Sequence, residues 1–113
     1  MSWNVSLIEI ESCPHCHKKL HRRHGESREV RNVTYNNSKI FRALGVHPDQ
    51  LSAVASAWII PLEKALIEIQ KNRLQYVHLE PSNCWGGIDD SIDFMEKLLE
   101  KCRMFPHGEV DWS

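Results

Sequence analysis

No apolar run in this sequence approaches the roughly 20 residues that a membrane-spanning helix needs. The opening stretch, MSWNVSLIEIES, lacks the basic segment of a secretory leader and carries two glutamates, so the expected compartment is the cytoplasm. Internal repeats and low-complexity linkers are also missing, and residues 1–113 read as one domain with chain enough for a single modest core. Net charge is almost absent, at −1, whereas a protein that grips nucleic acid with its whole surface is usually more basic. Without a leader, the four cysteines (Cys13, Cys16, Cys84, Cys102) do not suggest a disulfide framework. For the same reason the Asn-x-Ser/Thr triplets at Asn4, Asn32 and Asn36 carry no meaning as glycosylation sites.

What is present is the balance of a folded protein, with 42% hydrophobic and 26% charged residues. Charge is unevenly spread. Residues 15–31 hold Lys18, Lys19, Arg22, Arg23, Arg28 and Arg31 against two glutamates, while residues 80–113 are acidic. WNVSLIEI at 3–10 and REVRNVTY at 28–35 are rich in β-formers and predict two antiparallel strands, with the segment between them as a long connection. NNSKIFRALG predicts a short helix capped by Ser38 and stopped by Gly45. A second helix is expected to restart at HPDQLSAVASAW with Pro48 in its first turn, and Pro61 either kinks it or begins the next. Beyond it, Leu62, Ala65, Leu66 and Ile69 keep a core-facing period. The clearest helix is 89–104, striped by Ile88, Ile92, Met95, Leu99 and Cys102, and EVDWS reads as a closing strand. The expected fold is α+β: an antiparallel sheet of about three strands packed against three or so helices, with a Cys/His-rich hairpin loop.

That loop, CPHCHKKLHRRH at 13–24, carries the densest chemistry. Cys-x2-Cys places two thiolates on one tight turn, and His21 and His24 would complete a tetrahedron around zinc, in a structural rather than catalytic role. An exposed polar loop with free thiols is the plainer account of the same residues. Lys18, Lys19, Arg22 and Arg23 on a metal-stiffened loop would also suit phosphates, so a zinc-containing nucleic-acid-binding module is an alternative. Aromatic residues for base stacking are absent from the loop.

Two polar stretches, RNVTYNNSK and EPSNCWGGIDDS, each precede a helix. Asn32, Thr34, Tyr35, Asn36, Asn83 and Trp85 would line a small-ligand pocket, with Gly86 and Gly87 allowing close approach to the backbone. The competing account makes them helix caps and core cover. Cys84 before a helix start raises a cysteine hydrolase as a further alternative, with His47, His78 or His107 as base, but no local pattern fixes that base.

The motifs NVTYN at 32–36, LEP at 79–81 and NCWG at 83–86 resemble a set of small uncharacterised proteins of bacteriophages and their bacterial hosts, which read N-x-T-x-N and N-G-W-G. The resemblance spans most of residues 30–112 and departs from the pattern at Cys84, where those proteins have glycine. It implies an accessory factor, counter-defence included, that binds a host protein or sequesters a ligand. The sequence therefore points to a non-catalytic binding module for a host protein or a small anionic, nucleotide-like ligand. Zinc is its candidate cofactor, and it would act off the membrane, with a homodimer as one option for its assembly.

Overall fold

The structure is a computed structural model that describes residues 2–8, 10–12, 19–21, 27–81 and 86–113, with backbone alone for 10–12, 19–21 and 27. Strand β1 (Ser2–Ile8) is the centre of a three-stranded antiparallel sheet, flanked by β4 (Ser27–Thr34) and β5 (Glu109–Trp112). Between β1 and β4, strands β2 (Ile10–Ser12) and β3 (Lys19–His21) pair antiparallel as a separate two-stranded ribbon. The side-chain period of a strand sends Trp3, Val5 and Leu7 to one face, where they meet Val33 from β4 and Val110 and Trp112 from β5. The helices pack against this face, so the sheet has one covered side.

The register of β1 on β4 shifts between Val5 and Ser6. Trp3 pairs with Val33 and Val5 with Arg31, but Leu7 pairs with Arg28 rather than the expected Glu29. The extra residue turns both Arg28 and Arg31, three apart, toward the helical side. There Arg28 lies over the Phe105 ring, 5.1 Å from its centroid, and Arg31 reaches the helix packed beneath.

After β4 comes a single 3-10 turn, Tyr35–Asn37, and then α1 (Ser38–Leu44). Gly45 ends α1 in the left-handed conformation (φ 77°), and the Val46 N–H returns to the Phe41 carbonyl at 2.9 Å. The expected helix through HPDQLSAVASAW begins later. Residues 47–55 form turns and a β-bridge from Val54 to Glu109, and α2 (Ser56–Lys71) follows. The bridge explains the delay: Ala55 N–H bonds to the Gly108 carbonyl (2.8 Å) and Val110 N–H to the Ala53 carbonyl (2.7 Å), so this backbone is held by β5 instead of its own helix. Pro61 lies within the second turn of one continuous α2, where it leaves only the Ala57 carbonyl without its helical donor.

A short α3 (Arg73–Tyr76) and a second 3-10 turn, Val77–Leu79, lead toward α4 (Ile88–Met104). Helix α4 buries Ile88, Ser91, Phe94, Met95, Leu98, Leu99 and Cys102. This is a wider face than the five-residue stripe read from sequence, because α4 packs against both α2 and β4. Where these layers meet, Trp112 touches four rings: Trp3 (centroids 5.2 Å apart), Phe41 (6.1 Å), Trp58 (5.6 Å) and Phe94 (5.3 Å). Of these, Phe41, Trp58 and Phe94 are fully buried, and a fully buried Phe contributes about 1.5–3 kcal/mol of burial energy. No helix among the described residues is long and apolar enough to cross a membrane.

Candidate functional site

The junction of β4 with α1 holds two adjacent polar residues whose side chains go opposite ways. Thr34 starts the 3-10 turn as its cap, its Oγ1 accepting from the Asn36 N–H at 3.2 Å. Asn37, fully buried, then turns inward to the segment that starts α4. Its Oδ1 accepts from the Gly87 N–H (2.7 Å), and its Nδ2 donates to Asp90 Oδ2 (2.8 Å). Asp90 Oδ1 takes the Arg31 guanidinium at 2.6 Å, and Arg31 also reaches Asp93 Oδ2 at 2.7 Å. Glu80 Oε2 accepts from the Ile88 N–H at 3.2 Å. Two orphan donors at the start of α4 are thus satisfied by side chains, one from Asn37 fifty residues away and one from Glu80 eight residues before.

Gly86 (φ 92°) and Gly87 (φ 120°) adopt backbone conformations that side chains rarely tolerate. A Cβ on Gly86 would collide with Asn37 and Thr34, and one on Gly87 with Glu80. These glycines therefore serve a close approach, but the visitor is the chain's own Asn37 and Glu80.

Ser38 turns the other way. It does not cap α1 with its side chain, as the sequence suggested. Its hydroxyl lies 3.0 Å from His47 Nε2. His47 Nδ1 lies 2.6 Å from Asp49 Oδ1, and Arg42 Nη2 sits 2.9 Å from Asp49 Oδ2 and 3.4 Å from His47 Nε2. The His47 ring is buried, with its edge against Trp3 (centroids 5.7 Å apart), and Trp3 in turn meets Tyr35 at a tilt (4.4 Å). A carboxylate only accepts, so the short contact to Asp49 places the imidazole proton on Nδ1. This outweighs the longer contact in which the Asp49 N–H points at Nδ1 from 3.3 Å. Nε2 is left as the acceptor facing Ser38. The hydrogen-bonded Arg42 guanidinium holds the Asp49 carboxyl below the usual carboxylate range, and His47 acts in the same direction.

Beside Ser38 opens a cleft of about 580 Å³ between the start of α1 and the second 3-10 turn. Tyr35, Asn36, Ser38 and Lys39 form one wall, and His78, Leu79, Glu80 and Pro81 the other.

Of the ligand-binding residues read from sequence, Tyr35 and Asn36 line this cleft. Thr34, Gly86 and Gly87 build the junction behind it. Asn32 is elsewhere: its Nδ2 donates to Asn4 Oδ1 (2.8 Å) and Ser2 Oγ (3.0 Å) on the open face of the sheet. Asn83, Cys84 and Trp85 lie outside the described residues. So do Cys13, Cys16 and His24 of the zinc reading and Lys18, Arg22 and Arg23 of the nucleic-acid reading, while Lys19 and His21 are described as β3 backbone alone. Among the described residues, no group of three or more His, Cys, Asp or Glu is arranged to hold a metal ion. Cys102 is a core residue, and burial pushes its thiol up to about 12, which makes it unreactive at neutral pH.

Sequence reasoning missed Asn37 and Asp49. The doubled asparagine at 36–37 and the His-Pro-Asp triplet at 47–49 were the available signals, but each needed its distant partner to acquire meaning. No family model matches this chain, and neither does any curated protein or solved structure.

Proposed function

We propose that this protein is a binding module that takes a small anionic, nucleotide-like ligand in the cleft between Tyr35–Lys39 and His78–Pro81. The observation that carries the reading is the composition of that cleft. Tyr35 offers a partly exposed aromatic face, Lys39 an ammonium group, and His78 a nitrogen-bearing ring opposite. Glu80, the one acid in the lining, accepts from the Ile88 N–H at the start of α4 and faces Lys39 across the cleft. In the setting that the phage-type motifs imply, the role is sequestration of a host metabolite.

Titration with adenosine 5′-monophosphate, followed by amide chemical shifts, tests this. Saturable shifts clustered at residues 35–39 and 78–81 are expected, weakened at least tenfold in affinity in Lys39→Ala and Tyr35→Ala. Shifts scattered over the surface, or none up to millimolar concentrations, would sink the proposal.

A further inference from the structure

The hydrogen-bonded series Ser38–His47–Asp49 has the order, the atoms and the spacing of a serine nucleophile with its base and orienting acid, and Ser38 stands on the wall of the cleft. We propose that Ser38 is an acyl-accepting nucleophile and that the cleft takes small carboxylic esters bearing an anionic group. This assignment rests on the cleft being a ligand site, and adds chemistry to it.

Three observations carry it. The Ser38 hydroxyl faces Nε2 at 3.0 Å, which is hydrogen-bond reach for proton transfer. The Asp49 carboxylate at 2.6 Å fixes the tautomer that leaves Nε2 able to take that proton. Burial of the ring against Trp3 locks its orientation, so the base is held in place before any ligand arrives. The other charged group facing the ring is Arg42, 3.4 Å from Nε2.

In the reaction, Ser38 Oγ bonds to the ester carbonyl carbon while its proton passes to His47 Nε2. The bond from that carbon to the alcohol oxygen then breaks, and the alcohol leaves with the proton from Nε2. Water attacks the acyl-Ser38 ester, gives one proton to Nε2, and releases the carboxylic acid as that proton returns to Oγ. The sum is ester plus water to acid plus alcohol. Lys39, the residue after the nucleophile and on the same wall, supplies positive charge toward the substrate anion and the developing oxyanion. Asp49 acts through His47 and is a positioning residue.

The test is covalent labelling with a fluorophosphonate, mapped by peptide mass spectrometry, alongside turnover of acetylsalicylate as an anionic acetyl ester. The expected result is one adduct per chain, on Ser38, with the wild-type rate falling at least about 100-fold in His47→Gln. Asp49→Asn should lower the rate at least about tenfold, and Ser38→Ala should abolish both label and turnover, each variant being checked for a wild-type amide spectrum. An unlabelled Ser38 in the folded wild type overturns the assignment whatever the variants do. So does an equal labelling rate in folded His47→Gln, which would make the series a structural clamp. Retained nucleotide shifts with no label would leave the binding cleft standing and remove only the nucleophile, whereas loss of both would remove both.

Discussion

Asn37 and Ser38 are neighbours in the chain, yet the polar clusters they anchor differ in kind. On the Asn37 side, Gly87, Asp90, Arg31 and Asp93 form a seam in which both ends of the Asn37 amide are occupied by the protein itself. On the Ser38 side, His47, Asp49 and Arg42 form a series that ends on a hydroxyl at the wall of an open cleft. A buried amide with its partners satisfied stabilises one structure and has nothing left to offer a ligand. A series whose last hydroxyl borders solvent costs stability little and retains its chemistry. The contrast separates scaffold from candidate site within two residues.

Substitutions on the two sides should therefore fall on different scales. Asn37→Ala leaves the Gly87 N–H buried without an acceptor and is expected to lower unfolding free energy by about 2–3 kcal/mol, read from urea melts. A loss below about 1 kcal/mol would erase the distinction. Gly87→Ala should follow at about 1–3 kcal/mol, since its φ of 120° and its contact with Glu80 both resist a side chain. Ser38→Ala should cost only about 0.5–1.5 kcal/mol, the value of one ordinary hydrogen bond, while removing whatever chemistry the cleft has.

The smallest effect concerns acid. Asp49 and Asp93 both titrate below the ordinary carboxylate range, Asp49 chiefly through its bond to Arg42 and Asp93 chiefly through its bond to Lys97. A carboxyl with a depressed folded-state value stabilises above its unfolded value, about 3.9, and that contribution is lost as pH falls through the lowered one. Stability should thus fall below about pH 4, with a shallower decline in Asp93→Asn. An unchanged acid limb in that variant would show that its ion pairs are screened out in solution.

Much of the fold was legible because it depends on local period. The β-formers of 3–10 and the spacing along 89–104 both mark elements that meet the core. What failed was non-local. HPDQLSAVASAW has the composition of a helix, but residues 53–55 exchange backbone bonds with Gly108 and Val110, a partner that no window around Pro48 contains. The site divided in the same way. Tyr35 and Asn36 stood out as polar residues before a helix, whereas Asn37 became significant only when α4 brought Gly87 and Asp90 to it.

The aromatic hub has an optical consequence. Three of the four tryptophans, Trp3, Trp58 and Trp112, form a chain with ring centroids 5.2 and 5.6 Å apart, one pair edge-on at 88° and the other tilted at 31°. Indoles so close and so fixed share their excited states, so the near-ultraviolet circular dichroism of the protein should carry a coupled signal that isolated residues do not give. Trp3 also borders Tyr35 and His47, at 4.4 and 5.7 Å. Occupation of the cleft would then be visible as a change in the near-ultraviolet circular dichroism, with the core itself as the reporter.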